Sequence, residues 1–194
     1  MVRTPALTRR LAAAVFASVA YAASAFAADH DAFVLDARCR EGRPQGAYRL
    51  SDASGQLRVT GAFDEGVRTS SFLFWRKNGV RAAQVPYDDN GHVNGTLATW
   101  YDAAPGHEPT MRFESEVRSG VRQGETRSWY ADGRLRTRAD YDAGRIVAAE
   151  AWDARGEPLG RDAALALALR DARDAEAEAT RHDALIRDHL PRCD

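Results

Sequence analysis

Glycines recur through the middle of the chain in two interleaved series, and this repeat limits the fold more than any other feature. One series marks the middle of each unit, at Gly55, Gly79, Gly106, Gly133 and Gly156. The other marks the end of each unit, at Gly66, Gly91, Gly120 and Gly144. Dipeptides such as Asn78-Gly79 and Asp132-Gly133 supply the positive φ that tight hairpin turns require. The two series therefore predict two turns in each repeat.

The segments between these glycines alternate apolar with polar residues, which is the periodicity of a β-strand. The glycines also cut the chain into pieces too short for stable helices. We therefore predict a mainly β fold, an antiparallel meander of β-hairpin repeats over residues 46–159, with one dry and one wet face. The wet face takes arginines such as Arg112 and Arg136. The dry face is predicted to hold Leu57, Val59, Phe63, Met111, Phe113, Val117, Leu135, Ala139 and Tyr141.

Tryptophans mark the first strand of successive units: Trp75, Trp100, Trp129 and Trp152 are separated by 25, 29 and 23 residues. Three of them sit beside a second aromatic residue, in the pairs Phe74-Trp75, Trp100-Tyr101 and Trp129-Tyr130. Neighbouring side chains in a strand point to opposite faces, so one member of each pair faces outward unless a helix covers it. The alternative is that the C-terminal helix covers the aromatic row, which is then not exposed. The predicted interaction surface consists of Trp75, Trp100, Tyr101, Trp129 and Tyr130.

Two stretches carry the repeat most fully. Gln123-Gly124-Glu125 precedes Trp129-Tyr130, with Gly133 and Leu135 following, and Asn94-Gly95-Thr96 precedes Trp100-Tyr101 at the same spacing. This pattern resembles MORN-type repeats, and more closely the variant found in bacterial proteins labelled YwqK-family antitoxins. The resemblance implies a twisted sheet used for protein or membrane contact, with no catalytic residues to carry over. The second unit departs from the pattern at Ser70-Ser71, and the third carries an insertion at residues 103–109 that is predicted to protrude.

The N-terminus has the pattern of a cleavable signal peptide over residues 1–27. Arginines precede an apolar run from Leu11 to Ala27, and small residues at Ala25 and Ala27 are followed at once by the polar Asp29. This order of basic, apolar and small residues is typical of secretory leaders. The alternative is a membrane anchor, since the apolar run just reaches the shortest length that can span a bilayer. We predict cleavage near Ala27 and a periplasmic or secreted protein, with residues 28–45 preceding the repeats.

Cys39 and Cys193 bracket the repeats and are the two cysteines of the chain. Disulfides persist in the compartments to which a secretory leader directs a protein. We predict that these cysteines pair, which would tie the last helix to the first strand. Two separate thiols are the alternative, because spacing alone does not place two cysteines together.

Residues 160–194 change in composition and predict a C-terminal helix and tail. Asp162 is the expected N-cap, and the helix is expected to run toward Leu190, with Pro191 after its end. We expect this helix to pack on the sheet and to cap the last repeat; a partner-binding helix is the alternative. Its predicted apolar stripe consists of Leu165, Leu169, Ala172, Ala179, Ile186 and Leu190.

The sequence contains no motif of a known catalytic or cofactor site, so we predict a non-enzyme without a cofactor or metal. His182 and His189 share the predicted helix, but solvated helix histidines are far commoner than metal ligands. Without the leader arginines, acidic residues outnumber basic ones, which does not favour nucleic acid as a partner. The leading hypothesis is a protein-interaction module, antitoxin-like or immunity-like, with an unidentified protein partner. The alternative is an envelope-associated structural protein that binds lipid or cell-wall glycan. The oligomeric state is left open.

Overall fold

The computed structural model describes residues 32–194, which form one ten-stranded antiparallel sheet and a helix. Each strand pairs with the next along the chain, so the predicted mainly β meander with a C-terminal helix is confirmed. The predicted signal peptide lies outside the described residues. The elements are β1 (Phe33–Arg40), β2 (Arg43–Asp52), β3 (Leu57–Asp64), β4 (Val67–Trp75), β5 (Arg81–Tyr87), β6 (Gly95–Trp100), β7 (Met111–Arg118), β8 (Val121–Trp129), β9 (Leu135–Asp142), β10 (Arg145–Ala151) and α1 (Arg161–Arg187).

Two kinds of turn alternate along the sheet, one at each end of the strands. At one end, two-residue turns such as Ser119-Gly120 place both residues at positive φ, 47° and 80°. This is the type I′ geometry, whose twist matches that of the flanking strands. At the other end, four-residue turns finish in a glycine: Gly133, with φ 85°, donates its N–H to the carbonyl of Tyr130. The two glycine series of the sequence therefore mark the two ends of the sheet.

A β-bulge follows the four-residue turns and changes which side chains face inward. Trp129 pairs with Leu135, whereas Ser128 pairs with Thr137, so Arg136 is the extra residue. The same arrangement makes Arg112 the extra residue of β7, with Trp100 opposite Met111. A bulge inserts one residue and so reverses the alternation on its far side. The prediction that Leu57, Met111 and Leu135 belong to the dry face is wrong for this reason, as is the assignment of Arg112 and Arg136 to the wet face.

The inner face of the sheet, on which α1 lies, has two unlike halves. Over β2–β5 it carries large side chains, and Tyr48, Phe72 and Phe74 are buried there with Ile186 of the helix. Over β6–β9 it carries small hydroxyl-bearing side chains. These are the buried Thr99, Ser115, Thr126, Ser128 and Thr137. The Ser115 and Thr126 hydroxyls are 2.8 Å apart and those of Ser128 and Thr137 are 2.7 Å apart, whereas the Thr99 hydroxyl has no hydrogen-bond partner among residues 32–194. Phe113, Val117 and Tyr141 are buried in the same half, which therefore mixes polar and apolar side chains.

The helix packs through alanines rather than leucines. Ala168 contacts Ala139 and Tyr141 of β9, and the small alanine side chain lets the helix approach the sheet closely. Leu165 and Leu169 are 41% and 44% exposed, so the predicted stripe is wrong at these positions and at Leu190. It is correct at Ala172 and Ile186, which are buried.

The ends of α1 also differ from the prediction. The N-cap is Gly160, without a side-chain hydrogen bond, so the prediction of Asp162 as N-cap is wrong. Asp162 lies instead in the first turn, where its charge is favourable to the helix dipole. The helix ends at Arg187, before Leu190. Within residues 32–194, no helix is long and apolar enough to cross a membrane.

A disulfide joins Cys39 of β1 to Cys193 of the tail, with the two Cα atoms 5.6 Å apart, and confirms the predicted pair. The same region is held by a hydrogen bond from the Tyr48 hydroxyl to the carbonyl of His189 at 3.2 Å. The ring of Phe33 packs edge-on against His189 at 4.5 Å. The C-terminal tail is therefore fixed to the first two strands.

Candidate interaction surfaces

The tryptophans lie on the outer face of the sheet, opposite the helix. In β4 the buried Phe74 stacks on His182 of the helix, with ring centroids 4.2 Å apart. Ser128 of β8 likewise reaches the helix, where it donates to Asp171. Since successive residues of a strand point to opposite faces, Trp75 and Trp129 project away from the helix. The outer tryptophan row, Trp75, Trp100, Trp129 and Trp152, is partly exposed.

The bulges give most members of the outer tryptophan row a long side chain as cross-strand partner. Trp75 pairs with Arg81, and Trp100 pairs with Met111. The Arg81 guanidinium lies 5.3 Å from the centroid of the Trp100 ring, within the range of a cation–π contact. These contacts restrain the indole rings of Trp75 and Trp100.

The insertion at residues 103–109 borders the row at its first two members. A groove runs between Trp75 and Trp100, and its far wall is formed by Gly106, His107 and neighbouring loop residues. The base of the loop is held by Asn78, whose side chain donates to the Asp102 carboxylate at 2.8 Å and to the Ala103 carbonyl at 3.1 Å. The loop therefore adds polar groups beside the two indole rings.

Tyr101 and Tyr130 take no part in the outer surface. The Tyr101 hydroxyl donates to the carbonyl of Trp129, and the Tyr130 hydroxyl donates to that of Trp152, both at 2.8 Å. Each ring lies under the guanidinium of a bulge arginine on the helix side, as with Arg112 over Tyr101. The structure thus separates the predicted surface: its tryptophans are together on the outer face, and its tyrosines connect successive units.

A polar layer that the sequence analysis missed lies between the helix and β7–β9. Asp171 of the helix accepts a hydrogen bond from Ser128 and pairs with Arg136 at 3.1 Å. Glu178 pairs with Arg112 at 2.8 Å. Burial raises the pKa of Asp171, although the Ser128 hydrogen bond and the Arg136 charge oppose this effect. Arg112 and Arg136 occupy the same position in their units, the second residue of the strand that follows the turn. This repetition was visible in the sequence, but it indicates an inward-facing arginine only once the bulge is known.

His182 is half-buried on the inner side of the helix, where its ring stacks on Phe74. Burial lowers its pKa to about 4, and the charges of Arg181 and Arg76 act in the same direction. His189 lies beyond the C-terminal end of α1, where its ring packs on Phe33. Between residues 32 and 194, no three or more histidine, cysteine, aspartate or glutamate side chains are grouped to hold a metal ion.

Comparison with known proteins assigns no family to the chain. No protein-family model matches it, and no curated protein is significantly similar to it. The resemblance to MORN-type repeats stays an expectation from the residues around Gly124 and Trp129.

Proposed function

We propose that this chain is an exported, non-enzymatic protein-interaction module that holds a protein partner on the outer face of its sheet. In this proposal the protein is a MORN-like repeat protein that acts in the manner of an antitoxin or immunity factor. The observation that carries the proposal is the outer tryptophan row. Four successive units each present a partly exposed indole ring on the face opposite the helix.

Aromatic side chains held in advance are suited to protein recognition. An indole ring buries a large apolar area on contact and loses little rotamer freedom when its strand already fixes it. The cross-strand pairs Trp100–Met111 and Trp129–Leu135 widen each ring into an apolar patch. A protein partner with complementary apolar side chains would desolvate these patches.

The charges on the same face favour a protein over an anionic membrane. A row of charged residues crosses β7–β10, in which Glu114 pairs with Arg127, and Arg138 pairs with Glu150. The Arg138–Glu150 ion pair measures 2.6 Å. The row runs in the order Glu114, Arg127, Arg138, Glu150, so each arginine has an acidic neighbour on one side. Because this row contains equal numbers of acidic and basic residues, it forms the polar rim usual at protein interfaces and does not provide the clustered positive charge that anionic lipid attracts.

Export is supported by the disulfide. The Cys39–Cys193 bond persists in an oxidising compartment, in agreement with the leader pattern of residues 1–27. We propose the periplasm or the extracellular medium as the location.

A second candidate function is association with the cell envelope through glycan or lipid. The groove between Trp75 and Trp100 favours it, because indole rings beside the polar loop residues His107 and Glu108 can stack on a sugar ring and hydrogen-bond its hydroxyls. In this candidate the partner is peptidoglycan or a lipid surface and no protein is bound.

Affinity purification tests the two candidates. The chain from Asp29 onward is immobilised under oxidising conditions. An envelope extract of the cells that produce the protein is passed over it, and bound proteins are identified by mass spectrometry. We expect one stoichiometric partner, which the double variant Trp100→Ser/Trp129→Ser fails to retain. The matched control is Leu165→Ser/Leu169→Ser, which removes exposed apolar side chains from the helix and should retain the partner.

Two results would count against the leading proposal. A column without a specific protein, combined with retention of the chain on purified peptidoglycan or on vesicles, would move the function to envelope association. Equal loss of the partner in the tryptophan and leucine variants would show that the outer face does not carry the binding. Circular dichroism of each variant checks that the sheet is folded.

A further inference from the structure

A continuous apolar groove runs along one side of the helix, on the face opposite the outer tryptophan row. Two adjoining cavities form it, of about 290 and 410 Å³. Val93, Leu97 and Ala179 line both cavities, so the two are parts of one groove. From β4 to β8 the groove spans four inter-strand spacings, roughly 19 Å.

The groove borders the part of the sheet where β5 and β6 pair over the shortest length. β5 and β6 share two paired positions, Ala83–Thr99 and Gln84–Ala98, and the chain then loops out before the bridge between Tyr87 and Val93. On the helix side the groove is lined by Ala175 and Ala179, which are too small to fill the gap. The middle of the groove therefore has aliphatic side chains such as Val93 and Leu97 on the sheet and these alanines on the helix.

The charges along the groove are unequal at its two ends. At the end near Phe74, Asp183 is neutralised by Arg68, whose guanidinium is 2.5 Å from its carboxylate. At the other end lies Arg122, half-buried, which donates to the carbonyl of Ala172 at 3.2 Å. Within residues 32–194 no carboxylate forms an ion pair with Arg122. Glu176 lines both cavities, between these two ends.

Arg122 is also held in a fixed position. Its guanidinium carbon is 5.9 Å from the ring centroids of both Phe113 and Tyr141. A half-buried cation that contacts aromatic rings and lacks a carboxylate partner is favourable for an incoming anion, since burial strengthens the attraction.

We propose that this groove binds a single-chain amphiphile with an anionic head, of the fatty-acid class, with the carboxylate at Arg122 and the alkyl chain extended past Leu97 toward Phe74. Charge complementarity at one end and an apolar channel leading from it fit such a molecule. The length of the groove, roughly 19 Å across four inter-strand spacings, suits an extended alkyl chain. The site is independent of the proposed function, because the outer tryptophan row lies on the other face of the sheet.

Dodecanoate, below its micellar concentration, is the probe, and binding is measured by titration calorimetry and native mass spectrometry of the oxidised chain. We expect one molecule per chain. In the series octanoate, decanoate and dodecanoate, affinity should rise roughly tenfold for every two carbons, as expected when each methylene is buried.

Two variants with matched controls localise the binding. Arg122→Gln should weaken dodecanoate binding about tenfold or more, whereas Arg118→Gln, at an exposed position of β7, should not. Ala179→Phe, which fills the groove, should abolish binding, whereas Ala177→Phe on the exposed side of the helix should leave it unchanged. Val121→Asp, at a residue that is 45% exposed, gives a second groove variant that should fold normally and weaken binding.

Several results would overturn the proposal. Absence of dodecanoate binding, or binding that Ala179→Phe leaves intact, would exclude the groove. Equal affinity for dodecyl maltoside together with no effect of Arg122→Gln would exclude an anionic head. Self-association of the chain that Ala179→Phe abolishes, without dodecanoate binding, would assign the groove to a second copy. Loss of the protein partner in the tryptophan variants leaves these results unchanged, so the two proposals fail separately.

Discussion

Replacing Gly61 by alanine should destabilise the protein strongly, although Gly61 lies in an ordinary strand conformation. A Cβ atom added to Gly61 would lie 2.5 Å from Cδ1 and Cε1 of Phe72. The Phe72 ring is fully buried and touches Phe63 and Tyr87 edge-on, with centroids 5.5 Å apart in both pairs. The ring therefore cannot move aside without disturbing the aromatic half of the core.

The expected cost follows from this geometry. Overpacking a well-filled core costs about 1–3 kcal/mol, and the high end applies here because the ring has no free side. Alanine recovers about 0.5–1 kcal/mol of backbone entropy relative to glycine. We expect Gly61→Ala to lower the free energy of unfolding by about 2 kcal/mol. With a urea slope of about 1–3 kcal/mol per molar, the unfolding midpoint should fall by about 1 M.

Urea unfolding of the oxidised chain, followed by far-ultraviolet circular dichroism, measures this difference. The double variant Gly61→Ala/Phe72→Leu supplies the control, because the smaller leucine makes room for the new Cβ. We expect a coupling energy of at least about 1 kcal/mol between the two sites in the double-mutant cycle. A Gly61→Ala protein within about 0.5 kcal/mol of wild type, or additive effects in the cycle, would refute the close-contact argument.

Three further predictions concern backbone strain, the disulfide and the half-buried His182. Ser70 has a φ of 62°, so Ser70→Gly should stabilise the protein by about 0.5–1 kcal/mol in urea unfolding, whereas Ser71→Gly should destabilise it by a similar amount. The double variant Cys39→Ser/Cys193→Ser should lose roughly 3–5 kcal/mol, measured by the same assay, because the closed loop is long. Folding lowers the pKa of His182 from 6.5 to about 4, so the unfolded chain binds more protons between these values and stability should fall by up to about 3 kcal/mol as pH drops from 6.5 to 4. Unfolding free energies measured across this range should show a shallower pH dependence in His182→Phe, and an unchanged dependence would contradict the assignment.

The sequence predicted the parts of this fold that depend on local periodicity. Glycine-containing pairs such as Asp132-Gly133 determine their turns through φ alone, so the meander and its two turns per unit were readable. The placement of Trp129 beside an oppositely directed Tyr130 also followed from strand alternation. Neither prediction needed knowledge of distant contacts.

The failures arose where one residue changes the alternation or where packing is long-range. The bulge at Arg136 reverses the inward and outward positions near the turn, and no composition signal distinguishes a bulged from a regular strand. The sequence analysis placed Leu165 and Leu169, the larger side chains, on the face of the helix that contacts the sheet. In the structure both are exposed, and the face that contacts the sheet consists of alanines. The exposure of the tryptophans depended on which face the helix covers, which only the tertiary structure decides.

The helix changes how the repeat array should unfold. It starts beside β10 and its tail is bonded through Cys193 to β1, so the first and last units of the array are mechanically connected. Open repeat arrays lose their end units independently, because each unit contacts only its neighbours. Here the disulfide and the helix connect both ends of the array. Opening of one unit therefore disturbs contacts of the units at both ends. In oxidising surroundings the array should unfold as a single cooperative unit, whereas under reduction it should begin to fray at β1.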